Sequence, residues 1–180
     1  MSILLVISVL AACANTGSTV AEKRSHVQEM KQQALTELYR LKPDVRSQIS
    51  DAAGYGVFSN ANVNLIFASI GGGYGIVTDN ASGQDTYMKM GELGVGLGAG
   101  VKDFRIVMVF HTREALNRFE EYGLALSAQA DAAAKASDQG AAVGGEANID
   151  NITVYQMTQT GLALQATVKG TRFWRDTELN

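Results

Sequence analysis

Few residues in this chain are of types that perform covalent or acid–base chemistry. It holds one cysteine, Cys13, and two histidines, His26 and His111. His26 falls in a charged helical stretch and His111 ends an apolar run, a placement that suggests neither metal ligands nor a nucleophile with its base. Glu120 and Glu121 are neighbours on a helical pattern, where adjacent side chains diverge, so they solvate rather than cooperate. Gly94 to Ala99, GVGLGA, fits a loose G-x-G-x-x-A pattern. That pattern cradles phosphate at a turn from strand to helix, whereas here it runs on toward a second strand. A bare glycine face that admits another part of the protein is the better reading, and Gly71-Gly72-Gly73-Tyr74-Gly75 reads likewise as a bulge or bend. A single cysteine excludes internal disulfides and cysteine-rich metal motifs. The chain therefore reads as a non-enzyme, with no catalytic residue, metal or cofactor.

Binding chemistry is better represented. Lys23, Arg24, Lys31, Arg40, Lys42 and Arg46 lie on or near the first helical segment, against Glu22, Glu29, Glu37 and Asp44. At the other end Lys169, Arg172 and Arg175 interleave with Phe173 and Trp174, the only tryptophan. Cations meet phosphate while Trp and Phe settle at a headgroup boundary, so both clusters are candidate contacts with anionic phospholipid. Two bland readings stand beside these: a solvated helix face laced with ion pairs, and a terminal strand whose aromatics cover the core. The formal net charge of −3 argues against a nucleic-acid partner that needs a broadly basic face.

These clusters hang on an N-terminal segment that reads as an export signal. Residues 1–12, MSILLVISVLAA, are uncharged and almost wholly apolar, too short to span about 30 Å of hydrocarbon as a helix. Leu10-Ala11-Ala12-Cys13 resembles a bacterial lipobox, with lipid attached to Cys13 after cleavage. The segment departs from the usual signal in having no Lys or Arg ahead of its apolar run, and a buried strand with a core cysteine is the alternative. Residues 13–20 then form a lipidated tether and residues 21–180 a single domain. Ala14, rather than Asp, after the cysteine suggests an outer membrane facing the periplasm.

The domain must position the two basic clusters with the following elements. A helix runs from about Ala21 to Pro43, with Val27, Met30, Ala34, Leu38 and Leu41 inward, and a second runs to about Ala52 and stops at Gly54. Strand patterns follow in GYGVFS, VNLIFASI, GYGIVTD, DTYMKMG and the glycine-alternating GVGLGAGV. FRIVMVFH, apolar on both faces, reads as a central strand. Short spacing predicts an antiparallel meander. Thr112 caps a helix to Tyr122 that stops at Gly123, LALSAQADAAAKAS alternates as a strand, Gly140 to Gly145 is a loop, and ITVYQMT and LALQATVKGTRFW close the chain as two strands. The expected fold is α+β: a curved antiparallel β-sheet, open or barrel-like, packed with two N-terminal helices and one central helix.

The order of GYGVFSNANVN, GGGYGIVTD, EALNRFEEYGLALSAQADAAA and TVYQMTQTGLALQATVKGTRFW resembles the SYLF domain family over roughly residues 30 to 175. The resemblance implies a lipid-binding module, lipid-anchored in bacteria, that contacts anionic phospholipid through an amphipathic N-terminal segment and basic residues. Some fungal members are associated with actin. The expected function is a non-catalytic envelope protein that binds an anionic phospholipid membrane surface. Its rivals are an interaction module held at the membrane by acylated Cys13, meeting an envelope or host protein, and a curved sheet enclosing a small apolar ligand.

Overall fold

The computed structural model describes residues 19–60, 72–92, 104–123, 146–158, 161–162 and 171–180. Cys13, the strand pattern VNLIFASI, the glycine-alternating stretch, the alanine-rich stretch after Gly123, the loop from Gly140 to Gly145, and Lys169 lie outside them.

Helix α1 spans Val20–Leu41 and α2 spans Val45–Asp51. Thr19 starts α1 with a capping box: its hydroxyl accepts from the Glu22 amide at 3.2 Å, and the Glu22 carboxylate accepts from the Thr19 amide at 2.7 Å. Pro43 sits in the turn that separates α1 from α2. Gly54 does not stop α2. The residue at the helix end is Ala52, and Gly54 already opens the first strand, because its missing side chain makes room for Leu116.

The strands are β1 (Gly54–Ser59), β2 (Gly72–Asp79), β3 (Asp85–Glu92), β4 (Phe104–Phe110), β5 (Glu146–Ile149), β6 (Ile152–Thr158), β7 (Gly161–Leu162) and β8 (Thr171–Arg175). Helix α3 (Arg113–Tyr122) lies between β4 and β5. All strand pairs among the described residues are antiparallel, in the order β5-β6-β4-β1-β2-β3-β8, with β7 also alongside β6. Among the described residues the sheet is not closed into a barrel. A plain meander fails at β4, which crosses to pair with β1 instead of β3. A strand apolar on both faces gains most by lying inside the sheet with helices above and below it. Of the last expected strand, the described parts pair with two different neighbours: β7 with β6, and β8 with β3.

Each face of the sheet carries its own core. On one, α1 and α2 bring Val27, Leu38 and Val45 onto Val57, Ile76, Val107 and Tyr155. On the other, Leu116 and Phe119 of α3 meet Phe58, Ile106, Met108 and Phe110. The Phe119 ring centroid lies 5.0 Å from that of Phe110 and 5.5 Å from that of Phe173, so one side chain ties α3 to the centre and the edge of the sheet. Arg113 fixes the other end of α3 by pairing with Asp79 at 2.7 Å, which holds that carboxyl well below the usual carboxylate range.

The glycines of β2 make neither bulge nor bend. Their pairing with β1 and β3 is one-to-one throughout, and Gly75 faces the Phe58 ring so closely that a Cβ would lie 2.2 Å from its Cδ1. Among the described residues the buried hydrophobics run from Val27 to Leu179, so a fragment beginning at Thr19 retains every one of them.

Candidate functional site

Strand β8 pairs Trp174 with Lys89 and Arg172 with Gly91, placing these four residues on the same face of the β3–β8 edge. The Trp174 ring lies over Gly91, where a Cβ would come within 2.8 Å of it. The opposite side of Trp174 is open, and the residue is 46% exposed. Arg172 and Arg175 are exposed, and no described residue forms an ion pair with either. Lys89 reaches the buried carboxylate of Asp176 at 3.3 Å, so its charge is partly answered inside the protein.

Two further elements converge on this edge. Lys23, in the first turns of α1, pairs with Glu178, and Arg24 donates to the Leu179 carbonyl at 2.9 Å while its guanidinium lies 5.6 Å from the Tyr87 ring centroid. At the end of α3, Gly123 packs directly on the Phe173 carbonyl. Among the described residues the large exposed hydrophobics are Val20, Tyr122 and Trp174. They belong respectively to the start of α1, the end of α3 and β8. Sequence reasoning found Trp174 but not Tyr122 or Val20, which become neighbours of the edge only through tertiary contacts. The one available signal was Tyr122 standing just before the stop at Gly123.

The six cations of the N-terminal segment do not form one surface. Lys23 and Arg24 lie against the C-terminal residues, Lys42 pairs with Asp44 at 2.9 Å, and Arg40 pairs with Glu37 at 2.7 Å. Arg46 stacks on Tyr39. Lys23 and Arg40 are about 25 Å apart along a helix rising 1.5 Å per residue. The apolar face of α1 is covered by the sheet, so this helix offers lipid only its charged outer face.

Lys31 is not a surface cation. It is 6% exposed, with its ammonium 3.2 Å from the Asp85 carboxylate and 3.3 Å from the Thr78 hydroxyl. Gln28 donates to the same carboxylate at 2.6 Å. An ammonium on a helix face turned toward a sheet must find an anion there, and Asp85 at the start of β3 supplies it. Lys31→Ala should therefore destabilise the fold by about 3 kcal/mol, because it leaves Asp85 without its counter-charge, while Lys31→Met with Asp85→Leu recovers most of the loss. Urea unfolding midpoints decide this; equal stability of wild type and Lys31→Ala would rule the pair out as a structural element. Phe173 is likewise corrected to a core residue: it is 3% exposed and its ring centroid lies 4.7 Å from that of Phe58.

The histidines stand apart on hydroxyl partners, His26 at 3.2 Å from the Tyr74 oxygen and His111 at 2.7 Å from that of Thr153. Among the described residues no group of three His, Cys, Asp or Glu is placed to hold a metal ion, and no helix is long and apolar enough to cross a membrane.

The arrangement offers an exposed surface for contact with a partner. Residues 91–180, half of the chain, match the family model Ysc84, described as Las17-binding protein actin regulator. The chain belongs to the Ysc84 (SYLF) family. A curated relative, Beta cell expansion factor A of Aeromonas veronii, is 27% identical over 161 residues, covering 89% of this SYLF chain. The chain spans 60% of that relative's length. Membership in the SYLF family supports a non-enzymatic binding domain. The matched residues include β4, α3 and β8, the elements that build the aromatic core beneath the exposed edge.

Proposed function

We propose that this SYLF protein is lipid-anchored through Cys13 in the bacterial envelope, at the outer membrane facing the periplasm, and that its domain binds anionic phospholipid without catalysis. The observation that carries the reading is the β8 edge: exposed Trp174 and Arg172 on one face of the strand and exposed Arg175 on the other, neither arginine ion-paired within the described residues. An aromatic with an apolar body belongs at the headgroup boundary, and unpaired guanidiniums suit phosphate there. The start of α1 supports the same orientation. Thr19 lies beside this edge through Lys23 and Glu178, and five residues separate it from Cys13, six steps with a reach of about 20 Å at most. A lipid on Cys13 would hold the bilayer within touch of β8.

The test is co-sedimentation of residues 19–180 with phosphatidylcholine vesicles, with and without phosphatidylglycerol. Binding should require the anionic lipid and should weaken several-fold from low to physiological salt, where exposed charges are screened beyond about 8 Å. Absence of binding to either vesicle would defeat lipid recognition by the domain. The family description, which names a protein partner, then favours an interaction module whose only membrane contact is acylated Cys13.

A further inference from the structure

At the far end of α1 from the β8 edge, a cleft of about 560 Å³ opens where α1, α2 and β1 meet, lined chiefly by Gln32, Leu35, Tyr39, Arg40, Arg46 and Tyr55. Its size is that of a small-molecule site, for which about 300–1,000 Å³ is usual. The Arg46 guanidinium carbon sits 4.5 Å from the centroid of the Tyr39 ring. Stacking fixes the guanidinium plane and leaves the donors on its edge available.

Among the described residues no carboxylate pairs with those donors. Asp44, the nearest carboxylate in sequence, is held by Lys42 at 2.9 Å and by the Gln48 amide at 3.1 Å. Arg40 is shared with Glu37 and stands at the rim, largely exposed. Among the described residues, the hydroxyls of Tyr39 and Tyr55 and the amide of Gln32 make no hydrogen bond. Burial, reinforced by the neighbouring Tyr55, raises the Tyr39 pKa, so this phenol remains a donor at neutral pH. The result is a recess with a surplus of donors, one unpaired positive charge, and an apolar wall at Leu35.

We propose that this cleft binds a phosphate monoester, with Arg46, the two phenols and Gln32 on the phosphate and with the organic body against Leu35 and the Tyr55 ring. A carboxylate offers two oxygens, too few for a guanidinium fork, two hydroxyls and an amide. A phosphate monoester offers three terminal oxygens that match such a set. The open cleft leaves room beside the phosphate for an organic body. The site is separate from the β8 edge, and its ligand comes either from solution or from a monoester lipid headgroup.

Nuclear magnetic resonance of residues 19–180 tests it, with sn-glycerol 3-phosphate, inorganic phosphate and acetate as probes at matched ionic strength. Glycerol 3-phosphate should give saturable shifts at the Arg46 side chain and at Tyr39 and Tyr55, with acetate at least about tenfold weaker. Arg46→Ala should abolish them, and Arg46→Lys should weaken them by about tenfold, since an ammonium keeps charge but lacks the fork. Resonances elsewhere report whether each variant is folded, and Tyr55→Phe, which removes one donor alone, should weaken the site without touching its charge. Phosphatidylcholine vesicles containing phosphatidic acid, added to an Arg172→Glu/Arg175→Glu variant with a weakened β8 edge, identify the headgroup as source if only they produce Arg46-dependent shifts. No saturable shift with any phosphate probe, shifts that survive Arg46→Ala, or equal response to acetate would overturn the site. These results are independent of vesicle binding through β8, which Arg46→Ala leaves intact.

Discussion

Reversing Arg172 and Arg175 to Glu should weaken binding of residues 19–180 to anionic vesicles by about 100- to 1,000-fold. Each basic residue at an anionic surface contributes about 1 kcal/mol, and each introduced carboxylate costs a similar amount, so the four changes total about 4 kcal/mol, against 1.4 kcal/mol per tenfold. Neither arginine has a carboxylate partner among the described residues, so the fold should lose little. Trp174→Ala should act differently. The half-exposed ring contributes about 2 kcal/mol of apolar transfer, roughly a 30-fold loss that depends far less on salt and headgroup charge. Vesicle titrations of both variants at two salt concentrations separate the effects. Unchanged binding by the double reversal would remove the β8 edge as the lipid contact, whatever the behaviour of Trp174.

The second large effect is on stability. Gly123 ends α3 with φ 66° and ψ −172°, a backbone region open essentially to glycine alone, and a Cβ there would lie 1.9 Å from the Phe173 carbonyl oxygen. Gly123→Ala must either strain the helix end or push α3 away from β8. A loss of about 4 kcal/mol is expected, lowering Tm by about 8–16 °C in a domain of this size. Gly83→Ala is the control. Gly83 has φ 69° but nothing within 4 Å of its Cβ position, so only backbone strain of about 1 kcal/mol remains. Equal Tm values for the two variants would show that the contact with Phe173 does not hold α3 in place. Because Phe173 lies beneath this glycine, a displaced α3 should also loosen the core under β8.

The local elements were legible because their causes are local. Thr112 and Gly123 bound α3 as their side-chain and backbone chemistry dictates, and Pro43 separates α1 from α2. The apolar content of Phe104–Phe110 announced a central strand, and its burial between β1 and β6 agrees. What periodicity does not encode is which strand lies beside which. The crossing of β4 to β1, and the pairing of β8 with β3 while β7 pairs with β6, follow from burying two cores at once.

The same division holds for the candidate site. Interleaved cations and aromatics in Arg172–Arg175 could be read from the chain, because charge and amphipathicity are properties of side chains. Helical spacing likewise put Lys31 close to Val27 and Leu35, yet only the pairing of β2 with β3 reveals the carboxylate that holds it. Tyr39 and Tyr55 are sixteen residues apart and meet in a cleft because α1 folds back over β1. By itself the sequence determined composition, helix limits, strand character and the presence of cations beside aromatics. Tertiary structure alone decided which of those cations are buried, paired or free, because that depends on partners brought close by long-range packing.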